Sequence, residues 1–102
     1  MSVIHVNKEN FEQLKKEQRP VLLDFYADWC GPCKMVAPII EQIANERPDI
    51  AVGKVNVDEQ PELAGEFGVF SIPTLAVLKN GEVVNKSAGA RPMQAILELI
   101  DG

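Results

Sequence analysis

The chain has few soft metal ligands, with two cysteines and one histidine in 102 residues. A closed zinc site needs further thiolate or imidazole donors than these supply. His5 lies in the short alternation Val3-Ile4-His5-Val6 and reads as a solvent-facing strand residue, not as a ligand. No run approaches the ~20 apolar residues of a membrane-spanning helix. The opening residues, Met1 to Glu9, do not follow a basic segment with an apolar stretch, so no secretory leader is expected. The expected compartment is the cytoplasm, where thiols are kept reduced. Cationic charge is also in deficit: 10 Lys and Arg stand against 15 Asp and Glu, for a formal net charge of -5. Nucleic acids and anionic membranes select clustered Lys and Arg, so neither is an expected partner.

What is present centres on Trp29-Cys30-Gly31-Pro32-Cys33-Lys34, which sets both cysteines three positions apart, directly after an apolar run. Thiols at i and i+3 on the first turn of a helix can close a small-loop disulfide with little backbone movement, and so switch between dithiol and disulfide. A purely structural disulfide is a poor use of this spacing, because so short a loop removes little unfolded-state entropy. The pair reads as redox-active, and the chain as an electron carrier.

The remainder alternates strand and helix with short connections, without repeats or low complexity, as an α/β fold does, and its length suits one compact domain over residues 1–102. Residues 3–6 predict a short strand. Asn7 is a good N-cap, with Val6 and Phe11 as a hydrophobic staple, for a helix reaching about Glu17. Residues 21–27 are apolar at nearly every position, which predicts a central strand buried on both faces. A second helix follows from Pro32 to about Arg47, with Val36, Ile39, Ile40 and Ile43 as its buried stripe and a kink expected at Pro38. Residues 50–57 predict a third strand, and residues 61–67 a short helix closed by Gly68. Asn80-Gly81 predicts a hairpin between strands at 74–79 and 82–86. Pro92 opens a last helix whose Met93, Ile96, Leu97 and Ile100 keep helical spacing.

Four segments together closely resemble the thioredoxin family over essentially the whole length. They are residues 24–34 around the two cysteines, Lys54-Val55-Asn56-Val57-Asp58, Ser71-Ile72-Pro73-Thr74, and Lys79-Asn80-Gly81-Glu82 followed by Gly89. The resemblance implies a five-stranded mixed sheet in the order 1-3-2-4-5 flanked by four helices, with the dithiol at the end of the second strand. It also implies a general protein-disulfide reductase that carries electrons to target proteins, with no cofactor beyond its own disulfide. A flavoprotein reductase using NADPH, thioredoxin reductase, or an equivalent donor would recharge it, and the chain would work as a monomer. Two positions depart from the commonest pattern: Tyr26 stands where many relatives carry Trp, and Phe70 where a charged residue is frequent. Phe70 either enlarges the apolar docking surface or packs beside its loop.

The site residues follow from the resemblance joined to physical chemistry. With Cys30 as N-cap of the second helix, its sulfur meets the free N–H groups and the positive end of the helix dipole, which favour the thiolate; Cys30 is then the nucleophile. Pro32 at the second helical position has no N–H, so the natural donor to Cys30 is the N–H of Cys33, the resolving thiol. Asp24 is the proton acceptor beneath Cys33 by resemblance, and a carboxylate among Val, Leu and Phe side chains should have a raised pKa. Lys54 matches the family lysine that moderates that carboxylate; alternatively it extends to water. Pro73 is expected to be cis, and Trp29, Gly31, Pro32, Ile72, Pro73, Ala88, Gly89 and Ala90 to form a flat apolar substrate-binding patch around Cys30. Two rival functions fit the same residues: an oxidant or isomerase on the same fold, disfavoured by the Gly31-Pro32 pair, and a binding subunit in which the chemistry is incidental.

Overall fold

The computed structural model describes residues 3–102. Five strands, β1 (Ile4–His5), β2 (Val21–Tyr26), β3 (Ala51–Asn56), β4 (Thr74–Lys79) and β5 (Glu82–Ala88), form one sheet in the order β1-β3-β2-β4-β5. Four helices accompany it: α1 (Lys8–Lys15), α2 (Gly31–Glu46), α3 (Pro61–Glu66) and α4 (Met93–Asp101). β2 runs parallel to β3 and antiparallel to β4, and the β1–β3 pair is parallel. The mixed architecture expected from the sequence is the one observed.

Alternation along the central strands divides the interior into two apolar clusters on opposite faces. Leu22, Val52, Leu75 and Val77 pack with Val36, Ile40, Ile43, Ile96 and Ile100 of α2 and α4. Leu23, Phe25, Val55, Ala76 and Leu78 pack with Phe11, Leu14 and Leu63 of α1 and α3. Because both faces are covered, β2 is apolar at nearly every position. Asp24 is the exception, and the period of two places it on the α2 face with Leu22.

Several boundaries differ from expectation, each for a local reason. The first strand is confined to two residues, because its ladder with β3 covers only Ile4↔Gly53 and His5↔Lys54. His5 is exposed, as expected. α1 stops at Lys15, and the N–H groups of Lys16 and Glu17 close the end with three-residue bonds to Gln13 and Leu14. Asn7 caps α1, and Asn10 completes a capping box that the sequence did not announce, since Asn replaces the usual Glu or Gln there. α2 is one continuous helix with Pro38 inside it, as expected, and Pro38 faces solvent; Ile39 lies at the stripe's margin, and Ala44 completes the stripe instead. β5 continues to Ala88 because Ser87 and Ala88 still pair with Leu75 and Thr74. Pro92 is the N-cap of α4 and not its first residue, so the helix begins one residue later than expected, at Met93. The Asn80-Gly81 turn has positive φ at both residues (55° and 79°), the conformation a two-residue hairpin needs and glycine adopts without penalty.

Candidate active site

The chain leaves β2 at Tyr26, turns through Ala27, Asp28 and Trp29, and enters α2 with Cys30 as N-cap at φ -88° and ψ 112°. Cys30 and Cys33 are joined as a disulfide with a Cα–Cα distance of 5.3 Å. The Cys33 N–H donates to Cys30 Sγ at 3.2 Å, as the spacing and the proline at the second helical position require. Together with Ala27 the two sulfurs form a small cluster separate from the two large ones, and each cysteine is only 4% exposed.

On one side of the disulfide, the peptide bond Ile72-Pro73 is cis, as the resemblance implied. The Ile72 carbonyl oxygen lies 3.8 Å from Cys30 Sγ, and Ile72 packs on the cysteine cluster. This loop is tied at two points. Thr74 Oγ1 donates to the Ser71 carbonyl at 2.6 Å, and the Gly89 N–H donates to the Pro73 carbonyl at 2.7 Å. Gly89 has φ +97°, a backbone conformation that side-chain-bearing residues rarely adopt. Of the patch residues, Trp29, Gly31, Pro32, Ala88 and Ala90 are exposed, Ile72 and Gly89 are half-buried, and Pro73 is buried beneath the turn. A Cβ built on Gly31 meets nothing within 4 Å, so the ground beside the disulfide is open.

On the other side, Asp24 and Lys54 are partners in the β2–β3 register, and both line a cavity of about 150 Å³ that Cys33 also lines. Asp24 is 3% exposed, and its Oδ1 has no hydrogen-bond partner among the described residues. Burial pushes its carboxyl up to about 7, with the Lys54 charge opposing that rise. Lys54 is half-buried, its Nζ 5.5 Å from the Tyr26 ring centroid, so it neither reaches freely into water nor sits fully enclosed.

One arrangement was not assigned from the sequence. The Trp29 indole N–H donates to Asp58 Oδ2 at 2.8 Å, and the backbone N–H groups of Asp58 and Glu59 donate to Asn56 Oδ1 at 2.9 and 3.2 Å. These contacts tie the exposed Trp29 ring to the end of β3. Asn56 and Asp58 lie within one of the four segments that carry the resemblance, but spacing alone does not say which neighbour a polar residue serves.

A dithiol capping a helix at the end of a sheet's central strand, with a lone buried carboxyl in a cavity behind it, is the site of a thiol–disulfide oxidoreductase. The Thioredoxin family model matches residues 2–102, and the chain belongs to the thioredoxin family. It is 45% identical to thioredoxin of Bacillus subtilis over 102 residues, covering 99% of this chain and 97% of that one. With thioredoxin of Listeria monocytogenes the identity is 48% over 100 residues, covering 97% and 96% of the two chains. A mutant thioredoxin from Halobacterium salinarum superimposes with a TM-score of 0.90 at 37% identity, over 98% of this chain and 88% of that one. The protein is a disulfide reductase that acts through its own redox-active disulfide, without a separate cofactor. No helix among the described residues is long and apolar enough to cross a membrane.

Proposed function

We propose that Cys30 attacks target disulfides, Cys33 resolves the adduct, and Asp24 accepts the Cys33 proton with its charge moderated by Lys54. The observation that carries this reading is the placement of Cys33 between two groups: its N–H donates to Cys30 Sγ, and its side chain lines the cavity of Asp24. In the reduced protein the Cys30 thiolate, stabilised at the helix start, attacks one sulfur of the target disulfide. The other target sulfur leaves as a thiolate and takes up a proton. Cys33 passes its proton to Asp24 and attacks Cys30 Sγ, which releases the second target thiol. Two electrons have moved to the target, and the Cys30–Cys33 disulfide remains.

Trp29, Gly31, Pro32, Ile72, Pro73, Ala88, Gly89 and Ala90 make up the docking surface in this reading, with Pro73 acting as its buried support. Its shallow form suits extended segments of many proteins, as an electron carrier needs. Thioredoxin reductase with its flavin and NADPH, or an equivalent donor, returns the two electrons. The protein works as one domain and as a monomer, in the cytoplasm, where the dithiol is kept reduced. The test is insulin reduction followed by turbidity. Precipitation should require the reduced protein and continue catalytically with a reductase and NADPH; a rate no faster than dithiothreitol alone would reject the reading.

The potential is set in the first turn of α2. Pro32 is exposed there and contributes no charge to Cys30. In Pro32→His, an imidazolium beside the helix start should stabilise the thiolate, hence the reduced form, and raise the potential by roughly 30 mV or more. A glutathione redox titration reads this directly; an unchanged or lower potential would contradict the electrostatic account.

A further inference from the structure

Phe70 is 98% exposed and Trp29 69%, the two exposed aromatic side chains on the dithiol side of the molecule. A single exposed apolar residue is ordinary on a protein surface. These two instead line one hollow of about 160 Å³, shared with Val57, Val69, Ser71 and Ile72. We infer that Phe70 is a specificity-determining residue that, with Trp29, walls a cleft accepting an apolar side chain next to the cysteine of a target protein. The inference deepens the disulfide-reductase reading and rests on it.

The backbone around Phe70 is anchored although its ring is free. Gly68 leaves α3 at φ +63°, and the Val69 N–H donates to the Ala64 carbonyl at 3.0 Å, which holds Val69 against the sheet-and-α3 cluster. Two residues further on, the Ser71 carbonyl accepts from Thr74 Oγ1. The chain between these ties presents the Phe70 ring outward from a fixed base, so little loop entropy is lost when a ligand covers it. The opposite wall is fixed as well, since Asp58 holds the Trp29 indole.

The occupant is set by continuity and by charge. Ile72 lies in the hollow and also carries the carbonyl 3.8 Å from Cys30 Sγ, so whatever fills the hollow is attached to the chain that brings its cysteine to Cys30. All the lining residues but Ser71 are aromatic or aliphatic; the Asp58 carboxylate is bonded at the Trp29 edge, and Lys86 lines a separate hollow that Phe70 and Ser71 also border. An apolar side chain gains by burial there, whereas an acidic one is desolvated beside a like charge.

The experiment compares three disulfide substrates with wild type, Phe70→Ala and Phe70→Leu. Two are peptides that differ only in having Leu or Asp two positions on either side of the disulfide-bonded cysteine, and the third is hydroxyethyl disulfide, which has no side chains. Wild type should favour the Leu peptide. Phe70→Ala should lower kcat/KM for it by about tenfold, change the Asp peptide and hydroxyethyl disulfide by less than about twofold, and Phe70→Leu should restore most of the loss. Equal losses on both peptides, no loss on either, or a wild type without preference would overturn the inference while leaving the reductase reading intact. A wild type inactive on all three substrates would overturn both.

Discussion

In Cys33→Ser, incubation with a disulfide-bonded target should accumulate a covalent adduct through Cys30, while Cys30→Ser accumulates none and loses reductase activity by at least about 10³-fold. The asymmetry follows from where each sulfur sits. Cys30 is the N-cap, its Sγ receiving a backbone N–H at 3.2 Å and facing the start of a helix of 16 residues. That environment stabilises a thiolate and draws no comparable benefit to Cys33, which lies inside the first turn against the Asp24 cavity. Without the second thiol the first attack still proceeds, but no intramolecular sulfur is present to expel the target. Intact-mass spectrometry under non-reducing conditions reads both variants. An adduct in Cys30→Ser with none in Cys33→Ser would reverse the assignment of nucleophile and resolving thiol.

Asp24→Asn should separate stability from turnover. The carboxyl is displaced from 3.8 to about 7 by burial, only partly offset by Lys54. With the folded pKa above the unfolded one, the native state holds more protons between the two values, so stability falls as pH rises through that window. The penalty is absent below about pH 4 and complete above about pH 7. At about 1.4 kcal/mol per tenfold change in proton affinity, the full displacement corresponds to about 4 kcal/mol. A neutral amide escapes this penalty but remains a buried polar group, so a gain of about 2 kcal/mol at pH 8, fading towards pH 4, is the expected result. Urea unfolding of both oxidised proteins across that range is the measurement. A variant no more stable at pH 8, or one whose advantage grows as pH falls, would mean that the carboxylate is compensated. Resolution of the mixed disulfide should slow in the same variant, because the amide cannot take the Cys33 proton.

The features read correctly from the sequence are those in which one residue type has one physical use. An apolar run interrupted only by Asp24 meant a strand covered on both faces with a desolvated carboxyl, and the structure places Asp24 at 3% exposure. Asn80-Gly81 meant a tight hairpin, and both residues have positive φ. Features that depend on a partner distant in the chain were not legible. β1 is limited to two residues by how far β3 runs beside it, which Val3-Ile4-His5-Val6 cannot reveal. The Trp29–Asp58 bond spans 29 residues, and the Arg47 guanidinium that links Asp49 to Asp101 spans 54 on its longer side. Local pattern carries no information about such pairs. The orientation of Phe70, left open between docking and packing, depended on Val69 taking the inward position beside α3.

Ala27, Cys30 and Cys33 form a cluster of their own, apart from the two that hold the helices to the sheet. The exposed rim of the site is therefore separable in the engineer's sense, whereas Asp24 and Cys33 are built into β2 and α2 and belong to the foundation itself. Changes at positions 70, 90 or 91 touch exposed surface and leave both interior layers as they were. Exchanges at such positions should therefore alter what docks at the disulfide at little cost to the fold.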